Sequence, residues 1–596
     1  MVNRSQQLWS IDHRQTHDGM SSYLHLSFLE QPPVTNTQPP TNVLSTIEVQ
    51  RLDHLGLVAS AIDTLKLVAR IDKRLPISDN RDSHVTHGQR VKAMIINGLG
   101  YTTHPLYLSP KFFEGKDLTR LIGVGVEAEH LNDHALGRTL DALFAYGTTQ
   151  LFAEIAFEVG EERGLLGQSV HIDTTTLLLH GEYNEAIALA QKIKDAEEVL
   201  GIKSTQAPTP ALGYSKAHRH DLKQLVMSLT VTGDAAMPLW FEGLSGNSSD
   251  KSNFHASIAK FESFKESIDS TKSFLWVADS ALYNKGKLQA SQIKWLTRVP
   301  QTKTNAKQLV AQDDNNIAWQ DIGNGYKGVI EDKLEADERW ALLYSEQAYQ
   351  REHITFERNI KKSLAKTQTE LKQLANTVFA CEKDALKAAN KWQKSLKYQR
   401  VTFTVQPQRR YSKAGKPAKG ANPDIINYQL SGIITDNEQA QNKQRNQLGR
   451  FILSTNITND ESLTASAMLS TYIEQQDVER GFRFIKSDEF HLDGIYLHLP
   501  SRIDALMMVM TLSLMVYNVS EHEMRAALNK QTESLPCQKG KKTTRPTLRW
   551  AFQLMQDISI LTMKDMPSHV SGINDTKAKI IRLFGQNACA IYGMNM

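Results

Sequence analysis

Cysteine is nearly absent: Cys381, Cys537 and Cys589 are the only three in 596 residues, and no Cys-x-x-Cys pair occurs. That argues against a zinc ribbon or a disulfide framework. Gly123 and Gly125 in "GVGVEAEH" are not followed by a third glycine three positions later, so the dinucleotide fingerprint is not met. The first residues lack an apolar core of signal-peptide length. The most apolar stretch, "ALMMVMTLSLMVYNV" from Ala505 to Val519, is shorter than the ~20 residues a membrane span needs. It is expected to be a buried core helix, in a cytosolic protein without a membrane partner. Charge of one sign is not in large excess either: 69 Lys and Arg against 65 Asp and Glu give a net charge of +4. A balance that small does not by itself assign a nucleic-acid partner.

What is present is length and organisation. So long a chain predicts two to four domains. Residues 1–46 include "QPPVTNTQPPTN" and read as a poorly ordered lead. Residues 47–164 carry apolar residues at helical spacing, as in "HLGLVASAIDTLKLVARI", and predict a helical N-terminal domain. At residue 168 the period changes. "SVHIDTTTLLL", "LKQLVMSLTVTGD", "AMPLWFEGLSGN" and "SFLWVAD" are strand-like, with the helical "FHASIAKFESFKESI" before the fourth. Strand, strand, strand, helix, strand is the order of a ribonuclease-H-like core, whose first part is assigned to 165–290. Residues 291–460 predict a strand-rich insertion with a long helical segment, a helical hairpin at about 350–398. Its Trp319, Trp340 and Trp392 are better suited to a core than to base stacking. Residues 461–530 carry the second part of the core, and 531–596 a basic, helical C-terminal region. The fold class is therefore α/β, with an interrupted catalytic core between helical N-terminal and C-terminal regions.

One acid stands out in the first strand. Asp173 lies in an apolar, hydroxyl-rich run where an uncompensated charge would be costly. Asp279 ends the fourth. A single helix is predicted from about Glu461 to Lys486. At 100° per residue, Tyr472, Gln475, Glu479 and Lys486 share one stripe, while Val478, Phe482 and Ile485 form a separate apolar one.

The spacing of Tyr472, Glu479 and Lys486 resembles the signature of DDE-type bacterial transposases of the insertion-sequence-4 superfamily, with Gln475 where that family usually has arginine. "YSKAHRHDLKQLVMSLTVTGDAAMPLWFEGLSGNSSD" and "LGRFILSTN" look like the branch typified by insertion sequence 1634. The resemblance spans roughly residues 50–560. It implies a catalytic triad of Asp173, Asp279 and Glu479, with the strand-rich insertion between the second and third members. Three carboxylates suit two Mg²⁺ ions, which are hard and oxygen-seeking, and Mn²⁺ would substitute. Such a pair activates water or a DNA 3′-hydroxyl and stabilises the leaving oxygen. By the same resemblance Tyr472, Gln475, Arg483 and Lys486 would contact DNA near the cut. Lys216 and Arg219, in "YSKAHRHD", would touch the backbone. The basic segments "QRRYSKAGKPAKG" and "KGKKTTRPTLRW" are suited to phosphates or to solvent.

The expected function is that of a cut-and-paste transposase in the bacterial cytosol or nucleoid. Its helical N-terminal domain, residues 47–164, is expected to be the DNA-binding domain that recognises terminal inverted repeats. It would also bind target DNA, and act as a homodimer in the DNA complex. The alternative is a catalytically impaired, transposase-derived DNA-binding protein.

Overall fold

The computed structural model describes residues 47–77, 85–100, 105–185, 187–189, 191–192, 195, 207–213, 219–248, 250–335, 337–412, 415–416, 419, 422–486, 497–563 and 566–595. The expected lead at 1–46 lies outside them. The architecture is mixed α/β, built on a nine-stranded sheet.

A short strand, β1 (Ile47–Arg51), precedes the helices Leu55–Thr64, Leu67–Arg74, His87–Gly98, Asp133–Tyr146 and Thr148–Arg163. The last two are joined by Gly147 alone. Its φ of +104° lets the chain reverse with no intervening loop, a conformation that an L side chain would resist. Arg74 bridges Glu154 at 2.6 Å and Glu158 at 2.8 Å, tying the second helix to the fifth.

The sheet begins with β2 (Ser169–Leu179), β3 (Lys223–Thr232) and β4 (Pro238–Ser245), then β5 (Leu275–Ala278) and β6 (Lys294–Arg298). β-Branched and apolar residues dominate these runs, which favours strands. β3 is buried along nearly its whole length, as a strand covered on both faces must be. The spatial order is β4-β3-β2-β5-β6. β2 runs antiparallel to β3 and parallel to β5, and β5 runs parallel to β6. On one face Trp276 and Phe261 meet edge to face at 5.0 Å, which seats the helix Asp250–Ser267.

Beyond β6 the sheet continues with β7 (Gln320–Gly323), β8 (Tyr326–Glu335) and β9 (Glu338–Ser345). The sequence-based strand candidates of this stretch, "IKWLTRVP", "RWALLYSE", "QRVTFTV", "NYQLSGIITD" and "GRFILSTNI", did not include β7 or β8. Then comes an arm. The helices Glu346–Ala375 and Glu382–Gln393 pack against a separate hairpin of β10 (Gln399–Arg410) and β11 (Ile425–Asp436), and Trp392 Nε1 donates to Glu370 Oε2 at 2.8 Å. β12 (Arg450–Thr455) returns to the large sheet between β6 and β9. The tryptophans behave as packing residues: Trp340 is fully buried, and Trp319 and Trp392 partly so.

The expected single helix at 461–486 is two. Ala465–Ile473 and Gln475–Ile485 meet at Glu474. The sheet supplies the reason. Glu474 Oε2 turns toward Ser169 Oγ and His171 Nε2, at 3.5 and 3.4 Å. Gln475 Nε2 donates to the Ile172 carbonyl at 3.1 Å. Two consecutive polar side chains are thus drawn to β2. Gly481 lets the second segment pack closely, since a Cβ there would lie 3.1 Å from Leu514 Cδ2.

The helix Pro500–Lys530 starts with proline at its first turn, where a missing N–H costs nothing. It is long and apolar enough to cross a membrane by length and composition, with a mean hydropathy of 1.5 over its most apolar window. That window is 83% buried inside the protein. The C-terminal region is not purely helical: β13 (Leu535–Pro536), β14 (Lys542–Thr543), β15 (Ser559–Met563) and β16 (His569–Ser571) accompany its helices. β15 pairs with β1 and with β16. The fully buried Tyr592 donates its hydroxyl to the Asp53 carbonyl. The two ends of the described chain therefore close one body.

Candidate functional site

Register brings the two aspartates to one place. β2 and β5 are bridged at His171 and Val277. Asp173 and Asp279 each lie two residues further on, so they share a face with that pair. Adjacent strands are ~4.8 Å apart, which places Asp173 on β2 and Asp279 just past the end of β5 at neighbouring backbone positions. Asp173 is half-buried rather than sealed, and its Oδ1 accepts from the Thr174 N–H at 2.7 Å. Asp279, just past β5, is exposed. Its Oδ1 accepts from the Ala281 N–H at 2.9 Å, and its carbonyl from Thr297 Oγ1 at 2.6 Å.

The split helix covers the same face. Ala465, Met468 and Leu469 pack with Val277 and Leu296. Val478, Phe482 and Ile485 enter the main core. That leaves Glu479 exposed on the second segment. Tyr472 reports on all three acids. Its hydroxyl is pushed up to about 12, first by burial and then by the negative charges of Asp279, Glu479 and Asp173, against the opposing pull of Arg298. The three carboxylates therefore act on one phenol, from two strands and one helix.

The donor set is all hard oxygen, which fits Mg²⁺ by chemistry. Among the described residues, however, no group of three or more His, Cys, Asp or Glu side chains is gathered tightly enough to hold a metal ion. The set shares an electrostatic neighbourhood without forming a closed coordination shell.

The other sequence-predicted residues divide. Lys486 caps the helix and Arg483 lies in its last turn, both exposed. Gln475 is 7% exposed and holds the helix to β2, so as placed it does not face solvent. Arg219 forks onto Asp221 at 2.8 and 2.7 Å, its charge already compensated. Lys216 lies outside the described residues.

Arg298 was missed. It is exposed at the end of β6, stacks on Phe451 at 5.3 Å, and is the cation that bears on Tyr472. Its only sequence signal was a basic residue closing a strand, which is too common to single out. The buried pairing of His171 with Glu474 was missed too. His171 Nδ1 has no hydrogen-bond partner among the described residues.

Comparison with known proteins adds little. Residues 47–157 match a family described as a domain of unknown function, DUF4277. No curated protein matches the chain. Among solved structures, a cryo-EM structure of a piggyBac transposase synaptic complex with hairpin DNA is similar at 8% identity. The alignment covers 85% of this chain and 82% of that one, with a TM-score of 0.31. A likeness that low carries no argument about fold or chemistry.

Proposed function

We propose that this chain is a DNA transposase of an insertion sequence, related to the insertion-sequence-4 superfamily and its 1634 branch. It would bind terminal inverted repeats and cut and rejoin DNA strands with a D-D-E carboxylate set. The observation that carries the proposal is the joint position of three acids. In the order β4-β3-β2-β5-β6 the central strand β2 has antiparallel β3 on one side and parallel β5 on the other. That arrangement supports a ribonuclease-H-like core. Asp173 lies on its first strand and Asp279 directly after its fourth. Glu479 lies on the helix segment that packs against β2 and β3, and all three acids act on Tyr472.

Asp173, Asp279 and Glu479 would hold the divalent ions. Bound Mg²⁺ supplies an activated attacking oxygen and stabilises the leaving one. The chain's own residues do the rest. The Tyr472 phenol, kept protonated, can donate to a phosphate oxygen. Arg298, Arg483 and Lys486 present positive charge around the same face. In each cut an oxygen of water or of a DNA 3′-end attacks phosphorus, a P–O bond breaks in line, and the departing oxygen takes up a proton. A homodimer holding two ends belongs to the same proposal.

The test uses the full chain, Mg²⁺ and duplex DNA from the flanks of its reading frame. Wild type should nick or cut at the repeat ends. Glu479→Gln should lower cutting by at least ~10²-fold, the scale on which electrostatic stabilisers act, while DNA binding persists. Equal cutting by wild type and variant would refute the triad. Binding without cutting by wild type, with either Mg²⁺ or Mn²⁺, would favour the catalytically impaired alternative.

A further inference from the structure

The hairpin of β10 and β11 has two unlike faces. Inward, Phe403, Val405 and Leu430 pack on Ala385 and Ala389 of the second arm helix. Outward, the register places Thr404 opposite Ser431, Gln406 opposite Gln429, and Gln408 opposite Asn427. Arg400 and Arg410 bracket these three pairs. No outward position between Arg400 and Arg410, or between Ile425 and Thr435, is acidic. The β10 members are exposed and the β11 members half-buried. Ile433, beside Thr402, is 72% exposed.

These side chains share one chemistry. Gln and Asn amides and Thr and Ser hydroxyls donate and accept together, and arginine forks onto planar acceptors. That set complements the edges of bases in a major groove, which admits a two-stranded ribbon, and an exposed aliphatic residue complements a thymine methyl. Ten strand steps from Arg400 to Arg410 span about 33 Å, close to one turn of B-form DNA, about 34–36 Å. Charge agrees. Between Glu346 and Arg445 there are 19 Lys and Arg against 9 Asp and Glu, a net +10, while the whole chain carries only +4. The arm holds more than all of the protein's net positive charge, which is what attraction to phosphate requires.

We propose that the outward face of the β10–β11 ribbon reads base edges in the major groove of duplex DNA. The inference rests on the transposase proposal only in taking DNA as the partner; it assigns the sequence-reading element, which is separate from the carboxylate site.

The experiment selects bound duplexes from a randomised library with the full chain, and repeats the selection with Gln406→Ala/Gln408→Ala/Gln429→Ala. Wild type should enrich a defined motif. The variant should lose preference at two or more positions of it, at least ~10-fold in relative affinity, while its affinity for bulk duplex changes by less than about two-fold. If the triple variant folds poorly, Gln406→Thr/Gln429→Thr, which keeps strand-forming residues at both positions, is read the same way. Retention of the full motif by the variant overturns the proposal and leaves the cutting site untouched. No retention of any duplex by wild type overturns it together with the transposase reading. An unchanged motif with a lost self-association in sedimentation would show that the ribbon pairs with a second copy, and likewise overturns it.

Discussion

Asp504 should make this protein less stable as pH rises toward neutrality. It lies in the core helix Pro500–Lys530, 6% exposed, where its Oδ2 accepts from Thr148 Oγ1 at 2.5 Å. The nearby Glu242, itself bridged by Lys260 at 3.2 Å, adds a like charge. A Cβ on Gly243 would fall 2.1 Å from Oδ1, so the backbone has been brought close to the carboxyl. Burial first, and Glu242 second, push the carboxyl up to about 6 from its ordinary 3.8, against the pull of the Thr148 hydrogen bond. The folded state therefore binds the proton more tightly than the unfolded chain does. The stability linked to that proton is fully present below about pH 3.8 and is lost as pH rises through about 6. Two pH units correspond to about 3 kcal/mol. Asp504→Asn retains an oxygen to accept from Thr148 and removes the titration. The assay is the thermal midpoint of wild type and variant from pH 4 to 8. The variant should gain on wild type across pH 4–6 and be more stable at pH 7.5 by a few °C, given ~2–4 °C per kcal/mol for a unit of 150–250 residues and less for a larger one. Parallel curves, or a variant less stable at pH 7.5, would refute the reasoning.

Two further outcomes are expected. Tyr472→Phe should lower Mg²⁺-dependent cutting by roughly ten-fold, the worth of one hydrogen bond to a charged oxygen. The pH profile from 6 to 9 should keep its shape, because a phenol pushed up to about 12 does not titrate there; a new limb in the profile would disprove the protonated-donor role. Tyr592→Ala should cost about 3–5 kcal/mol by opening a cavity against Gly56 and freeing the Asp53 carbonyl. Urea unfolding followed on the helix Leu55–Thr64 should register it, although the substitution lies over 500 residues away from that helix in sequence.

Part of the fold was legible in local pattern. The runs that form β2 to β6 are continuous or near-continuous in apolar and β-branched residues, and their order along the chain followed from those runs alone. The helical character of 465–485 followed from periodicity, although the single stripe it implied is divided, Tyr472 falling on the first segment and Glu479 on the second. Other features depend on partners that pattern does not name. The break at Glu474 arises because Ser169 and His171, about 300 positions earlier, face it. Gln475 looked like a surface residue of the signature and is spent on the Ile172 carbonyl. β7 and β8 are short of apolar residues, and they are strands because β9 already lies in the sheet beside β8.

The sequence by itself determined which residues could form strands and helices, properties of side-chain chemistry and short-range periodicity; the acids of the proposed D-D-E set came from the resemblance of motifs. Tertiary structure alone decided that β2 and β5 lie parallel with His171 opposite Val277, that the second helix segment buries Val478, Phe482 and Ile485 in the main core, and that β1 pairs with β15 to join the two ends. Strand pairing and helix docking are non-local. Their free energy comes from hydrogen bonds and burial between segments hundreds of residues apart, and no window along the chain contains both halves.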